Sequence, residues 1–293
     1  MPSRRDFVTT LAAGLASSAI RPDGVAGAER AEIRALGVPV GLQLWSLRKY
    51  LPKDLPGTLA KVRALGFRDV EGAGLWGHGL ADFRAALDKA GLRCPSAHMG
   101  FERLRDDTAG ALKEVKALGA RAVVCPWIPH GSAFTRDDAL RSAEAFNRFG
   151  KAAWEAGLRF GYHCHGYEFV PATEGTLFDT IAKQTDPAHL SFEIDIYWAK
   201  AGGADPAKVI AAYAGRVPLM HIKDMAKGLS LPPGSSQSPH ETNVPAGQGQ
   251  LDLPAIFRAA RKSGTEIYYL EDESPKVWEQ IPESLKYLSS LKL

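Results

Sequence analysis

The chain has 293 residues, 45% of them hydrophobic and 24% charged, with a formal net charge of +3. This composition supports one large core and argues against a disordered chain. The small net charge, with no Lys/Arg run or basic-aromatic ladder, gives no support for nucleic-acid binding. Cys94, Cys125 and Cys164 are odd in number, lack CxxC spacing and imply no disulfide framework.

The N-terminus reads as an address. Ser3-Arg4-Arg5-Asp6-Phe7-Val8 precedes an apolar, small-residue stretch at 9–20 and then Ala26-Gly27-Ala28, an A-x-A site with a cut after Ala28. The order of these pieces resembles a twin-arginine export signal. It implies a signal at 1–28, a mature domain at 29–293, the export machinery as a partner, and a folded product in the periplasm or outside the cell. The apolar stretch is shorter than the roughly 20 residues that span a bilayer, so no stable membrane anchor is expected.

Apolar, β-branched runs centred near Gly41, Val70, Arg93, Val123, Phe160, Phe192, Leu219 and Tyr268 alternate with helix-period segments at 55–65, 81–90, 108–118, 136–156, 175–183, 206–213, 253–262 and 277–289. Several segments stop at a glycine, as in Ala90-Gly91 and Ser263-Gly264. Eight such units predict a single α/β domain, a closed (β/α)₈ TIM barrel. The alternative, an open doubly wound sheet, lacks G-x-G-x-x-G after the first strand, and Gly247-Gln248-Gly249 is a lone pair in a loop. That loop, 227–250, is the longest irregular stretch and is read as substrate-facing.

Glu168, Asp195, His221 and Glu271 each fall at or just beyond the end of an apolar run. In a parallel barrel all four would project from one rim, where such barrels carry their chemistry. A carboxylate-rich set with one imidazole suits one divalent metal ion, Mn, Mg, Co or Zn. His163 and His165 share a strand face, so either could join or replace Glu168 as the ligand from strand five. Glu193 alternates onto the face of Asp195 one layer deeper, and Lys223 onto the side of His221, where it could hold a substrate oxygen.

These phrases resemble the xylose-isomerase-like barrel superfamily, which includes sugar isomerases, keto-sugar 3-epimerases, inosose dehydratases and apurinic endonucleases. The resemblance runs from about Val38 to the C-terminus. It rests on Gly41-Leu42-Gln43-Leu44-Trp45-Ser46-Leu47-Arg48, Ser96-Ala97-His98, the stretch from Tyr162 to Phe169, Asp195-Ile196-Tyr197-Trp198, His221-Ile222-Lys223-Asp224 and Gly247-Gln248-Gly249-Gln250-Leu251-Asp252. It implies a metal held by Glu168 or a nearby His together with Asp195, His221 and Glu271.

The expected chemistry is proton abstraction beside a carbonyl through an enediolate, with Glu168, Glu271 and His163 as catalytic groups. Trp45, His98, His165, Trp198 and Lys223 are the substrate-binding candidates. The substrate would be a small carbohydrate, a keto-sugar or 3-keto-glycoside, and the protein a sugar isomerase or epimerase, with a homo-oligomer allowed. A 3-keto-glycoside lyase, a non-catalytic sugar-binding barrel and a phosphodiesterase are the competing readings. The last lacks a multinuclear ligand set.

Overall fold

In the computed structural model, which describes residues 34–35 and 38–292, eight strands form a ring. They are β1 (Val38–Gln43), β2 (Asp69–Gly72), β3 (Arg93–His98), β4 (Ala122–Cys125), β5 (Arg159–His163), β6 (Ser191–Asp195), β7 (Leu219–Ile222) and β8 (Ile267–Leu270). Each pairs in parallel with the next, and β8 returns to β1 with Tyr269 opposite Gly41, so the sheet closes. The expected barrel is the observed one.

The connecting helices are α1 (Leu55–Ala64), α2 (Leu80–Ala90), α3 (Thr108–Ala117), α4 (Arg136–Glu155), α5 (Leu177–Lys183), α6 (Pro206–Ala212), α7 (Leu253–Ser263) and α8 (Val277–Ser290). Local chemistry sets their ends. Thr135 and Asp138 form a capping box at the start of α4, and Thr176 and Asp179 form one at the start of α5, which therefore begins two residues later than expected. Gly91 (φ 67°) and Gly264 (φ 82°) close α2 and α7 in the left-handed conformation.

Short helical elements that were not expected include a 3₁₀ turn at Leu44–Leu47 and helices at Phe101–Asp106 and Ile196–Ala201. These three follow the C-terminal end of a strand, at the rim. The long loop is also more ordered than its composition implies. Asn243–Val244 pairs antiparallel with Asp224–Met225, and the Asp224 carboxylate accepts hydrogen bonds from the backbone N–H groups of Gly247, Gly249 and Leu251. The Gly-Gln-Gly pair, uninformative as a sequence motif, thus has a structural role, since a Cβ on Gly249 would collide with the Asp224 carboxylate.

Alternation along the strands sorts the core into two layers. Val70, Val123, Phe160, Phe192, Met220 and Leu270 belong to the main apolar cluster with the helices. Val124, Leu219 and Tyr269 form a separate buried cluster, and above it the interior turns polar. Gly41 makes room for this arrangement, because a Cβ there would stand 2.6 Å from the Tyr269 ring. The signal expected at 1–28 lies outside the described residues. Among the described residues, no helix is long and apolar enough to cross a membrane.

Candidate metal centre

At the C-terminal rim, His163 from β5, Asp195 from β6, His221 from β7 and Glu271 just past β8 converge, with one ligand atom of each within 4.8 Å of the others. His221 Nδ1 lies 3.2 Å from His163 Nε2, 3.2 Å from Glu271 Oε2 and 3.9 Å from Asp195 Oδ2. His163 Nε2 lies 3.7 Å from the same Asp195 oxygen. All four residues are buried.

The orientation of each ligand has a cause. Asp195 caps the helix Ile196–Ala201, its Oδ1 accepting the Trp198 N–H at 2.9 Å, which leaves Oδ2 buried and without a hydrogen-bond partner. His221 Nε2 lies 2.7 Å from Glu71 Oε2 on β2. An Nε2–H donated to that carboxylate leaves the Nδ1 lone pair facing His163, Asp195 and Glu271, the usual relation between a metal-binding imidazole and its supporting acid.

A second set, Glu71, His98, Glu193 and His221, lies deeper, and its bonding differs. His98 Nε2 is 2.9 Å from Glu193 Oε2, Gln43 Nε2 donates to Glu71 Oε2 at 2.7 Å, and the Ser96 hydroxyl donates to Glu71 Oε1 at 2.6 Å. Most of these atoms are already in hydrogen-bond contact, Glu193 Oε1 alone being buried without a partner, so the set is an ion-pair network that supports the rim. The rim set fits a divalent ion: ligand atoms about 2.0–2.2 Å from one ion stand at most roughly 4.4 Å apart, the four rim separations given above are 3.2–3.9 Å, and the unbonded Asp195 oxygen offers a negative charge that nothing else neutralises fully. Lys223 does so in part, its ammonium 3.9 Å from Asp195 Oδ2 and 3.4 Å from Glu271 Oε2 while also paired with Glu273.

The charges follow. Burial alone would lower the basicity of His221, but Glu193, Glu271 and Glu71 outweigh it and raise its pKa well above the usual range. A bound divalent ion would take the place of that proton. Burial would raise Glu271, but Lys223 and then His221 hold its carboxyl well below the ordinary value. His98 is raised to about 9, because Glu71 and Glu193 overcome its burial. His165 goes the other way: burial, reinforced by His163, keeps it neutral.

Glu168 is placed elsewhere. Strand β5 ends at His163, and Tyr167–Phe169 forms a 3₁₀ turn, so strand alternation no longer governs Glu168. Its Oε1 accepts from the Tyr162 hydroxyl at 2.6 Å and from the His165 N–H at 2.8 Å. The Tyr162 ring packs against Phe146 of α4, outside the barrel. Glu168 neither joins the rim set nor lines the cleft above it, and His163 takes the strand-five place.

That cleft has a volume of about 710 Å³, with His98, His163, His165 and Glu271 among its lining residues. Trp45 and Trp198 line it too, as expected, but Lys223 does not. Ser236, Gln237, Ser238 and His240 bring the 227–250 loop to its edge. Sequence reasoning missed Glu71 because one acid in a four-residue strand gives no periodic signal. Its position on a barrel strand next to Val70 was the available clue.

A model described as the xylose isomerase-like TIM barrel matches residues 59–291. The chain belongs to the xylose isomerase-like TIM barrel family. Inosose dehydratase from Lacticaseibacillus casei is 30% identical to this family member over 145 residues, 46% of each chain, so the match spans about half the length of that relative. The crystal structure of a sugar phosphate isomerase/epimerase from Parabacteroides distasonis superposes with a TM-score of 0.70 at 28% identity, covering 92% of this chain and 97% of the other. IOLI protein, solved with a bound zinc atom, shares the fold with a TM-score of 0.65 at 15% identity over 85% of this chain and 94% of that one.

Proposed function

We propose that this chain is a divalent-metal-dependent enzyme that enolises a keto-sugar. The observation that carries the proposal is the rim set His163, Asp195, His221 and Glu271, with an unbonded Asp195 oxygen and a Glu71-anchored imidazole, opening on a cleft large enough for a sugar. When bound there, the ion would supply Lewis-acid polarisation of a carbonyl, acidifying the neighbouring C–H.

The protein supplies the proton traffic. Glu271 is held ionised and borders the cleft, so it can accept a proton. His98, three strands away around the barrel, is held protonated, with Nε2 committed to Glu193, so Nδ1–H remains to donate towards the cleft. Neutral His165 can bind a hydroxyl as donor or acceptor.

Where His98 delivers its proton decides the outcome. Delivery to carbon gives epimerisation or isomerisation, the activity named for the Parabacteroides structure. Delivery to a leaving oxygen one carbon further gives β-elimination, and the matches to inosose dehydratases favour this lyase outcome as the second reading. Ser3-Arg4-Arg5 and Ala26-Gly27-Ala28 support export by the twin-arginine route. The test is deuterium uptake from D₂O into a panel of keto-sugars. Metal-dependent C–H exchange is expected, and exchange into no keto-sugar by the metal-loaded protein would overturn the reading.

A further inference from the structure

The cleft is larger than its chemical end requires. The rim set borders only part of the 710 Å³, and a single pyranose fills only a fraction of such a volume, which lies in the range that accommodates drug-sized ligands, about 300–1,000 Å³. The remainder is bordered by indole rings. Trp45 leaves 42% of its surface exposed, although an indole normally gains by burial. Among the described residues, Trp154 is the other large apolar side chain that is exposed. It lies in a different pocket at the start of β5.

Trp45 is exposed yet held in place. Its backbone N–H donates to Gln43 Oε1 at 3.0 Å, its ring packs against Trp76 with centroids 5.6 Å apart, and the Arg48 guanidinium lies 5.4 Å from the ring centroid. Its indole N–H donates to Glu273 Oε2 at 3.4 Å, and Glu273 also pairs with Lys223 beside the rim set. Trp76 has a φ of 55°, the one non-glycine residue with positive φ among those described, and its buried indole N–H has no partner. A bulky residue in that region is strained, and such strain persists where the surroundings impose it, often at ligand sites. Trp127, stacked on His130 with centroids 5.2 Å apart, borders the same cleft.

We propose that the Trp45 side of the cleft is a subsite for a second ring with an apolar face, joined by a glycosidic bond to the sugar held at the metal centre. The inference rests on the enolising reading for the placement of the inner sugar; it adds the subsite for the outer ring and thereby chooses, between the two expected substrate classes, the glycoside over the free monosaccharide. A fixed indole can stack on such a ring with little loss of freedom, while Glu273 and His240 at the edge can meet its hydroxyls.

The experiment is calorimetric binding to the metal-loaded full chain of methyl glucoside, both anomers of phenyl glucoside, maltose and cellobiose. At least one two-ring ligand is expected to bind about tenfold tighter than methyl glucoside of the same anomer. Trp45→Ala should remove that advantage, Trp45→Phe should keep most of it, and Trp154→Ala should leave it unchanged. Preference for a disaccharide identifies the outer ring as a sugar, and preference for the phenyl glycoside as an aryl group. Equal affinity for all ligands, or an advantage that survives Trp45→Ala in a protein with unchanged circular dichroism, overturns the subsite. D₂O exchange separates the two claims. Exchange into a free keto-sugar without ring preference leaves the enolising reading and removes the subsite. A Trp45-dependent preference without exchange into any keto-sugar does the reverse.

Discussion

Glu71 and His221 face each other across the barrel at 2.7 Å, carboxylate oxygen to Nε2. This contact turns the other imidazole nitrogen towards His163, Asp195 and Glu271. An acid on β2 thus sets the aim of a ligand on β7.

Loss of that support should weaken metal binding without emptying the site. Replacing a carboxylate that orients a metal-binding histidine typically costs 10–100-fold in affinity, so Glu71→Gln should raise the metal Kd by about that factor. Competition with a chromophoric chelator measures it. An unchanged Kd would separate the Glu71 contact from the metal site.

Glu168 makes the opposite case, a buried acid outside the centre. Burial raises its carboxyl to about 7 from an ordinary 4.5, against the hydrogen bonds from Tyr162 and His165. A carboxyl with a raised folded-state pKa binds its proton more tightly when folded. Its contribution is therefore fully present below about 4.5 and is lost as pH rises through about 7, a swing on the order of 3 kcal/mol. Urea unfolding of wild type and Glu168→Gln at pH 5 and pH 8 should show the wild type losing stability relative to the variant at the higher pH. A constant difference would contradict the assignment.

Asp224 fastens the long loop through three backbone N–H groups beyond its own strand segment. Hydrogen bonds to a charged group contribute about 1.5–3 kcal/mol each at most, and they share one carboxylate here. Asp224→Ala should destabilise the protein by about 2–4 kcal/mol, and hydrogen exchange should speed up at Gly247, Gly249 and Leu251 first. Uniform loss of protection across the barrel would contradict this local role.

The barrel was legible because its signals repeat: eight apolar runs, helix-period segments and glycine stops such as Gly91 all report one architecture. The short helices at Phe101–Asp106 and Ile196–Ala201 were not, because six residues are too few to establish a 3.6-residue period. In the site, Asp195, His221 and Glu271 end their apolar runs, and the fold gathers them. Glu168 failed because rim position was inferred from proximity to a strand end, whereas a 3₁₀ turn directs its carboxylate to Tyr162. His163, the last residue of β5, keeps the alternation and occupies that place. The same alternation put Lys223 beside His221, but Glu271 and Glu273 hold its ammonium out of the cleft lining.

Metal content of the purified full chain and three variants, measured by mass spectrometry after dialysis, tests the central claim most directly. One divalent ion per chain is expected in the wild type and in Glu168→Ala, and none in Asp195→Ala or His221→Ala, each variant retaining the barrel's circular dichroism. Full occupancy in Asp195→Ala, or loss of the ion in Glu168→Ala, would contradict it.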